Sequence, residues 1–244
     1  MVNYDLLLLV VFYLVLLIIF KIYRNKFEIQ WKIFALYKTK LGLNLMDKIA
    51  KKFPNLLILF GYIGIFISFV GMIVTFGFIV WAAYRLLFIP SAEAVLAPVL
   101  PGIKISEQLP ILSFWHWIIA ILVVAIVHEA SHGIYARLKN VRIKSSGFAF
   151  LGPILAAFVE PDEKQLKKKR IRDQLLVFSA GPFSNILLGI FIFLILAFVF
   201  VPITSSIVDV NGIVIGDIDS NLPISDSGLA AGYVIEEVEG IKVD

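Results

Sequence analysis

Residues 125–138 read AIVHEASHGIYARL, with His128, Glu129 and His132 in the order H-E-x-x-H. On a helix, positions i and i+4 lie about 40° apart around the axis and one turn along. His128 and His132 can therefore present two imidazoles to one metal ion. Glu129 lies beside them, placed to take a proton from a water held by that ion. Zinc suits such a site: it is borderline-soft, binds imidazole, and is tetrahedral with one position open for water. It lowers the pKa of that water to about 7, which makes hydroxide available at neutral pH. This is the metalloprotease use of the motif. The plain alternative is two hydrogen-bonded histidines on a helix with no metal. Location weighs against it. The motif closes a run of twenty residues without a charge, 108–127, and ionisable groups in hydrocarbon are costly.

Two imidazoles and a water leave a tetrahedral site one ligand short. Glu160, Asp162 and Glu163 follow in FVEPDEKQ, but acids in a basic loop read first as a solvated turn. The next apolar stretch holds no acid or histidine, although it holds Asn185. His116 stands between Trp115 and Trp117 and reads as part of an interfacial aromatic belt rather than as a ligand.

The elements that must position these residues are apolar helices. The chain has 244 residues, 60% of them hydrophobic, and a mean hydropathy of +0.93. Soluble domains are about half apolar. The excess lies in four long runs, at about 4–23, 56–88, 113–138 and 174–203, each long enough to span a bilayer. The fold expected is mainly α, a polytopic membrane protein with about four transmembrane helices. Gly61, Gly64, Gly71 and Gly77 in the second run would allow close helix packing. No Lys or Arg precedes the first run, so it lacks the basic start of a signal peptide. The chain has no cysteine, hence neither disulfides nor thiolate ligands.

Charge orients the spans. Residues 21–52 hold nine Lys/Arg against Glu28 and Asp47, and 137–173 hold ten against four acids. Basic loops stay cytoplasmic, so these two belong inside. The N-terminus, the loop 90–112 with its four prolines, and residues 205–244 belong outside. HEASH then falls in the cytoplasmic half of the third span. Segment 21–52 admits two readings, an amphipathic helix lying on the membrane face or a solvated basic loop. Residues 205–244 differ in kind, with eight acids, one lysine and short β-branched runs broken by Gly, Asn and Pro. They read as the start of a small β-rich domain.

Several motifs in order resemble the site-2 protease family of intramembrane zinc metalloproteases, and its archaeal branch most closely. They are HEASHG, SSGFAF with FVEPDE, and SAGPFSN, with YKTKLGLNLMDKIAKKFP and VLPGIKI upstream. The resemblance implies that His128 and His132 bind Zn2+ and that Glu129 is the general base. It implies a short membrane-dipping β-hairpin at 147–159, after the catalytic helix, whose edge receives an unwound substrate strand; Gly147 and Phe148 would contact substrate there. Segment 180–185 would pack on the catalytic helix, with Asn185 hydrogen-bonding near the site. An ordinary helix start with proline in its first turn is the alternative. SDSGLAAGYVIEEVEGIKV is similar to a protease-associated PDZ pattern, with Tyr233 in place of the usual Asp and Glu239 in place of the usual Asn. The domains expected are thus a transmembrane metalloprotease core at 1–204 and a partial PDZ-like domain at 205–244.

The family's third ligand is an Asp in a later Leu-Asp-Gly motif, and this chain contains no Asp-Gly. The ligand is therefore expected beyond Asp244, in a longer parent protein. The leading function is a zinc metalloendopeptidase that cleaves within or near a transmembrane helix of a substrate protein. The bilayer is the other partner, and no nucleic acid is expected. Two alternatives stand beside it: a membrane-anchored zincin acting on soluble substrates, and a non-catalytic membrane metal-binding scaffold.

Overall fold

The computed structural model describes residues 4–23, 27–30, 34–89, 95, 112–151, 154–207, 213–216, 232–238 and 241–242. They fall into two compact units, Met1–Gly189 and Ile190–Asp244.

In the first unit, α1 (Tyr4–Ile22) precedes strands β1 (Phe27–Gln30) and β2 (Phe34–Thr39) and the short helix α2 (Leu43–Lys52). Helix α3 (Pro54–Phe88) starts with proline at its first position, where a missing N–H costs nothing. Helix α4 (Phe114–Leu138) carries HEASH. A hairpin follows, β3 (Ile143–Leu151) and β4 (Ile154–Pro161). A five-residue helix α5 (Glu163–Lys167) leads to α6 (Ile171–Ile195). Among the described residues, Pro54–Phe88, Phe114–Leu138 and Ile171–Ile207 are long and apolar enough to cross a membrane. The first expected span forms α1, whose apolar part, Leu7–Ile22, is shorter.

The hairpin is larger than the expected 147–159. It is also half of a four-stranded antiparallel sheet in the order β1-β2-β3-β4. Segment 21–52 is therefore neither a single helix nor a loop. Its first part supplies the two strands, with Tyr37 opposite Phe148 and Lys38 opposite Gly147. Its last part supplies an amphipathic helix. That helix starts at Gly42, whose φ of 79° is a left-handed conformation cheap only for glycine. Its buried residues are Met46 and Ala50, and its last turn carries Lys51 and Lys52. Asp47 reaches across to Arg137 of α4 at 3.0 Å.

The core joins α4 and α6. Tyr135, Ala136, Val141, Leu166, Leu176, Val177 and Ala180 are buried together, with Leu57 and Ile65 of α3 against them. The Tyr135 hydroxyl donates to the Leu57 carbonyl at 2.8 Å. Two glycines of α3 make this approach possible. A Cβ at Gly61 would stand 2.7 Å from Tyr135 Cε1 and overlap Leu176, and one at Gly64 would stand 2.8 Å from Phe183 Cδ1.

In the second unit, the end of α6 passes into a π-helical turn, Leu196–Phe200, and then into α7 (Val201–Ile207). Pro202 has no N–H to give to the preceding turn, which accounts for a change of helix type there. Beyond it, β5 (Ile213–Val214) pairs with β6 (Val234–Ile235), and β7 (Glu237–Val238) with β8 (Ile241–Lys242).

Candidate metal and catalytic centre

The 3.6-residue repeat of α4 puts His128 and His132 one turn apart on one face, their ring centroids 4.8 Å apart. What brings the nitrogens to one point is α6. Gly181 faces both rings. A Cβ there would stand 2.6 Å from His128 Nε2 and closer still to His132 Nε2. The two Nε2 atoms thus converge on one small space that only a residue without a side chain leaves open.

Both imidazoles are oriented from behind by α6. His132 Nδ1 lies 2.6 Å from the Val177 carbonyl oxygen. A carbonyl only accepts, so Nδ1 carries the proton and Nε2 keeps its lone pair. His128 Nδ1 lies 3.0 Å from the side-chain amide of Asn185, whose Oδ1 is buried without a partner. Amide nitrogen and oxygen are exchanged by a half turn of the side chain. With the oxygen toward Nδ1–H, His128 takes the same tautomer as His132. Metal-binding histidines usually donate their second N–H to such an acceptor. The donor set fits a zinc ion on these grounds: two neutral imidazoles, two free Nε2 atoms, one shared cleft.

Glu129 points another way. Its Oε2 accepts the backbone N–H of Val159 on β4 at 3.0 Å. Since Val159 turns its N–H from β3 toward α4, alternation along the strand turns the backbone of Ala157 and Leu155 to the same outer edge. The edge next to Glu129 therefore belongs to β4. Gly147 and Phe148 lie on β3, which is paired on both sides, so neither presents a free edge. Gly147 has a packing reason instead: a Cβ there would overlap the Tyr37 carbonyl oxygen of β2.

The three loop acids are engaged elsewhere. Glu160 accepts from Ser145 at 2.7 Å and pairs with Lys38 and Lys144. Lys38 has its pKa raised, first by its hydrogen bond to Glu28 and further by the charge of Glu160. Asp162 caps α5 by accepting from the Gln165 N–H. Glu163 pairs with Lys167 one turn on. His116 Nδ1 lies 3.2 Å from Ser113 Oγ. Among the described residues, no three His, Cys, Asp or Glu side chains gather to hold a metal.

Sequence reasoning missed two contributors. One is Gly181, read as a packing residue within SAGPFSN; its Gly-Pro pair was the available signal. The other is α2, which lies against α4 through Met46. A Cβ at Gly133, next to His132, would meet Met46 Sδ at 2.5 Å and Val159 Cγ1 at 3.2 Å.

Comparison with known proteins comes to the same stretch. The family model described as peptidase family M50 matches residues 116–238. An uncharacterized protein of the archaeon Methanocaldococcus jannaschii is 35% identical over 130 residues, which is 52% of this chain and 32% of that relative. The chain thus spans about a third of that relative's length. No solved structure matches the chain.

Proposed function

Since the chain belongs to peptidase family M50, the site-2 protease family, we propose that it carries the catalytic helix of an intramembrane zinc metalloendopeptidase. Its substrate would be a protein whose transmembrane helix is cut within or near the bilayer. The observation that carries this reading is the convergence of His128 Nε2 and His132 Nε2 on the notch at Gly181, one residue from a carboxylate bound to a strand edge.

His128 and His132 would hold the zinc ion, with a further ligand from outside the described residues. When bound, zinc supplies Lewis acidity that lowers the pKa of water and stabilises developing oxyanion charge. Val177 and Asn185 keep both imidazoles in the binding tautomer. The Val159 N–H holds Glu129 Oε2, which leaves Oε1 to accept the proton of the attacking water. A substrate strand laid along the outer edge of β4 would satisfy its backbone at Ala157 and Leu155. A helix hides its peptide bonds, so unwinding must precede cleavage. In this reading the basic segments 21–52 and 137–173 are cytoplasmic, the N-terminus and residues 205–244 lie outside, and 205–244 belong to a PDZ-like module that docks or filters substrates.

The test uses the full-length protein and a single-span substrate. Wild type should bind zinc and cut the substrate. Glu129→Gln should keep its zinc and lose activity by about 10²–10⁴-fold, the usual contribution of a general base. Equal cleavage by the variant would remove Glu129 from the chemistry.

A further inference from the structure

Beside Glu129 lies a cavity of about 210 Å³. Three parts of the chain far apart in sequence enclose it. Helix α2 supplies Leu45, Met46 and Ile49, α4 supplies Glu129, and the hairpin supplies Ala157 and Val159. The lining is apolar apart from Glu129 and Ser146. The Ser146 hydroxyl is committed to the Leu41 carbonyl at 2.7 Å, so it has no donor left for a ligand. Glu129 Oε2 is tied to the Val159 N–H on the same wall. The cavity thus touches the candidate base and the β4 edge at once.

Its mouth is built from side chains that are exposed among the described residues. Leu41 is 71% exposed and Leu45 is 61% exposed. Deeper in, Met46 is buried and seated against Gly133, which ties the floor to the helix turn of His132. A dry apolar cavity of about 150 Å³ accommodates benzene. This one has room for a branched aliphatic or a phenyl side chain, and it offers no partner to a charge other than the Glu129 carboxylate.

We propose that this cavity is the substrate side-chain pocket of the peptidase, that it takes a leucine- or phenylalanine-sized residue flanking the cleaved bond, and that Ile49 and Leu45 of α2 set its size limit. The proposal rests on the peptidase reading above and adds its substrate preference. Side chains alternate across an added strand. With the bond held at Glu129, a residue next to it meets the wall formed by Glu129, Ala157 and Val159. An acidic side chain there is rejected by the Glu129 carboxylate and by the apolar lining. A tryptophan is too large while Ile49 is present.

The experiment uses the full-length protein with single-span substrates in which each residue flanking the cleaved bond is changed in turn to Ala, Leu, Phe, Trp and Asp. Wild type should favour Leu or Phe over Asp at one of the two positions by at least about tenfold, and Ile49→Ala should raise the Trp-to-Leu cleavage ratio there by about tenfold. A second readout does not need turnover. Glu129→Gln protein is mixed with substrate carrying a diazirine analogue of leucine at that position and irradiated. Crosslinks should map to α2 around Leu45 and Ile49. If wild type cleaves but the Ile49→Ala profile is unchanged, or the crosslinks miss α2, the pocket assignment falls and the peptidase reading stands. If wild type cleaves none of the substrates, the peptidase reading falls and takes the pocket with it.

Discussion

Two sets of glycines on the same kind of helix have opposite surroundings. Gly61 and Gly64 on α3, Gly133 on α4 and Gly181 on α6 each leave room for a neighbouring side chain that a Cβ would overlap or crowd. Gly71 and Gly77 on α3, and Gly189 on α6, have nothing within 4 Å of where a Cβ would be. All seven lie in apolar helices, so hydropathy does not separate them. In a bilayer the lipid is as apolar as leucine, and the helix faces that meet are chosen by shape. The packed glycines mark where helices and the hairpin press on one another, and at Gly181 the neighbours are the two histidines. The open ones mark helix faces that no described residue covers.

That contrast can be attacked most directly at Gly181. A methyl group there occupies the space on which both Nε2 atoms converge. Gly181→Ala should lower zinc affinity by about 100-fold, the upper range for disturbing groups around a metal-binding histidine, and metal content after dialysis measures it. Full zinc occupancy in Gly181→Ala would show that the ion does not sit where the nitrogens meet. The next effect is on packing. Gly61→Leu drives a side chain into Leu176, which is wholly buried, and into Tyr135. Overpacking of this kind costs about 1–3 kcal/mol, visible as a lower thermal midpoint in detergent. An unchanged midpoint would mean that α3 does not rest on the α4–α6 core. The smallest effect should come at Gly71, where Gly71→Ala gains up to about 1 kcal/mol of helix propensity and clashes with nothing. Clear destabilisation by Gly71→Ala would sharpen the comparison in another way, because it would reveal that a second surface packs on that face.

The sheet shows how far a sequence carries such distinctions. The β3–β4 hairpin is legible, since its strands are adjacent in the chain and lie in the segment that resembles a family hairpin. Strands β1 and β2 are not. The runs FEIQ and FALYKT sit among lysines in a segment that also holds an amphipathic helix. Their partner β3 lies more than a hundred residues away, as between Tyr37 and Phe148. Non-local pairing leaves no local period to read. The same pairing decides which strand meets Glu129 with an unpaired edge: with β2 paired to β3, that strand is β4. Gly147 and Phe148 therefore change meaning, from edge residues to interior ones that line the cavity.

By itself, the sequence determines that two imidazoles share one helix face, because the spacing of His128 and His132 needs nothing but a helix. It determines the apolar helices, because their length and lack of charge are properties of one segment at a time. The tertiary structure decides what neighbours do. It aims both imidazoles with Val177 and Asn185, opens the notch at Gly181, ties Glu129 to Val159 and closes a cavity with α2. Each of these depends on two or three segments meeting at van der Waals distance, and a packed interior fixes such meetings through the shapes of all its parts at once.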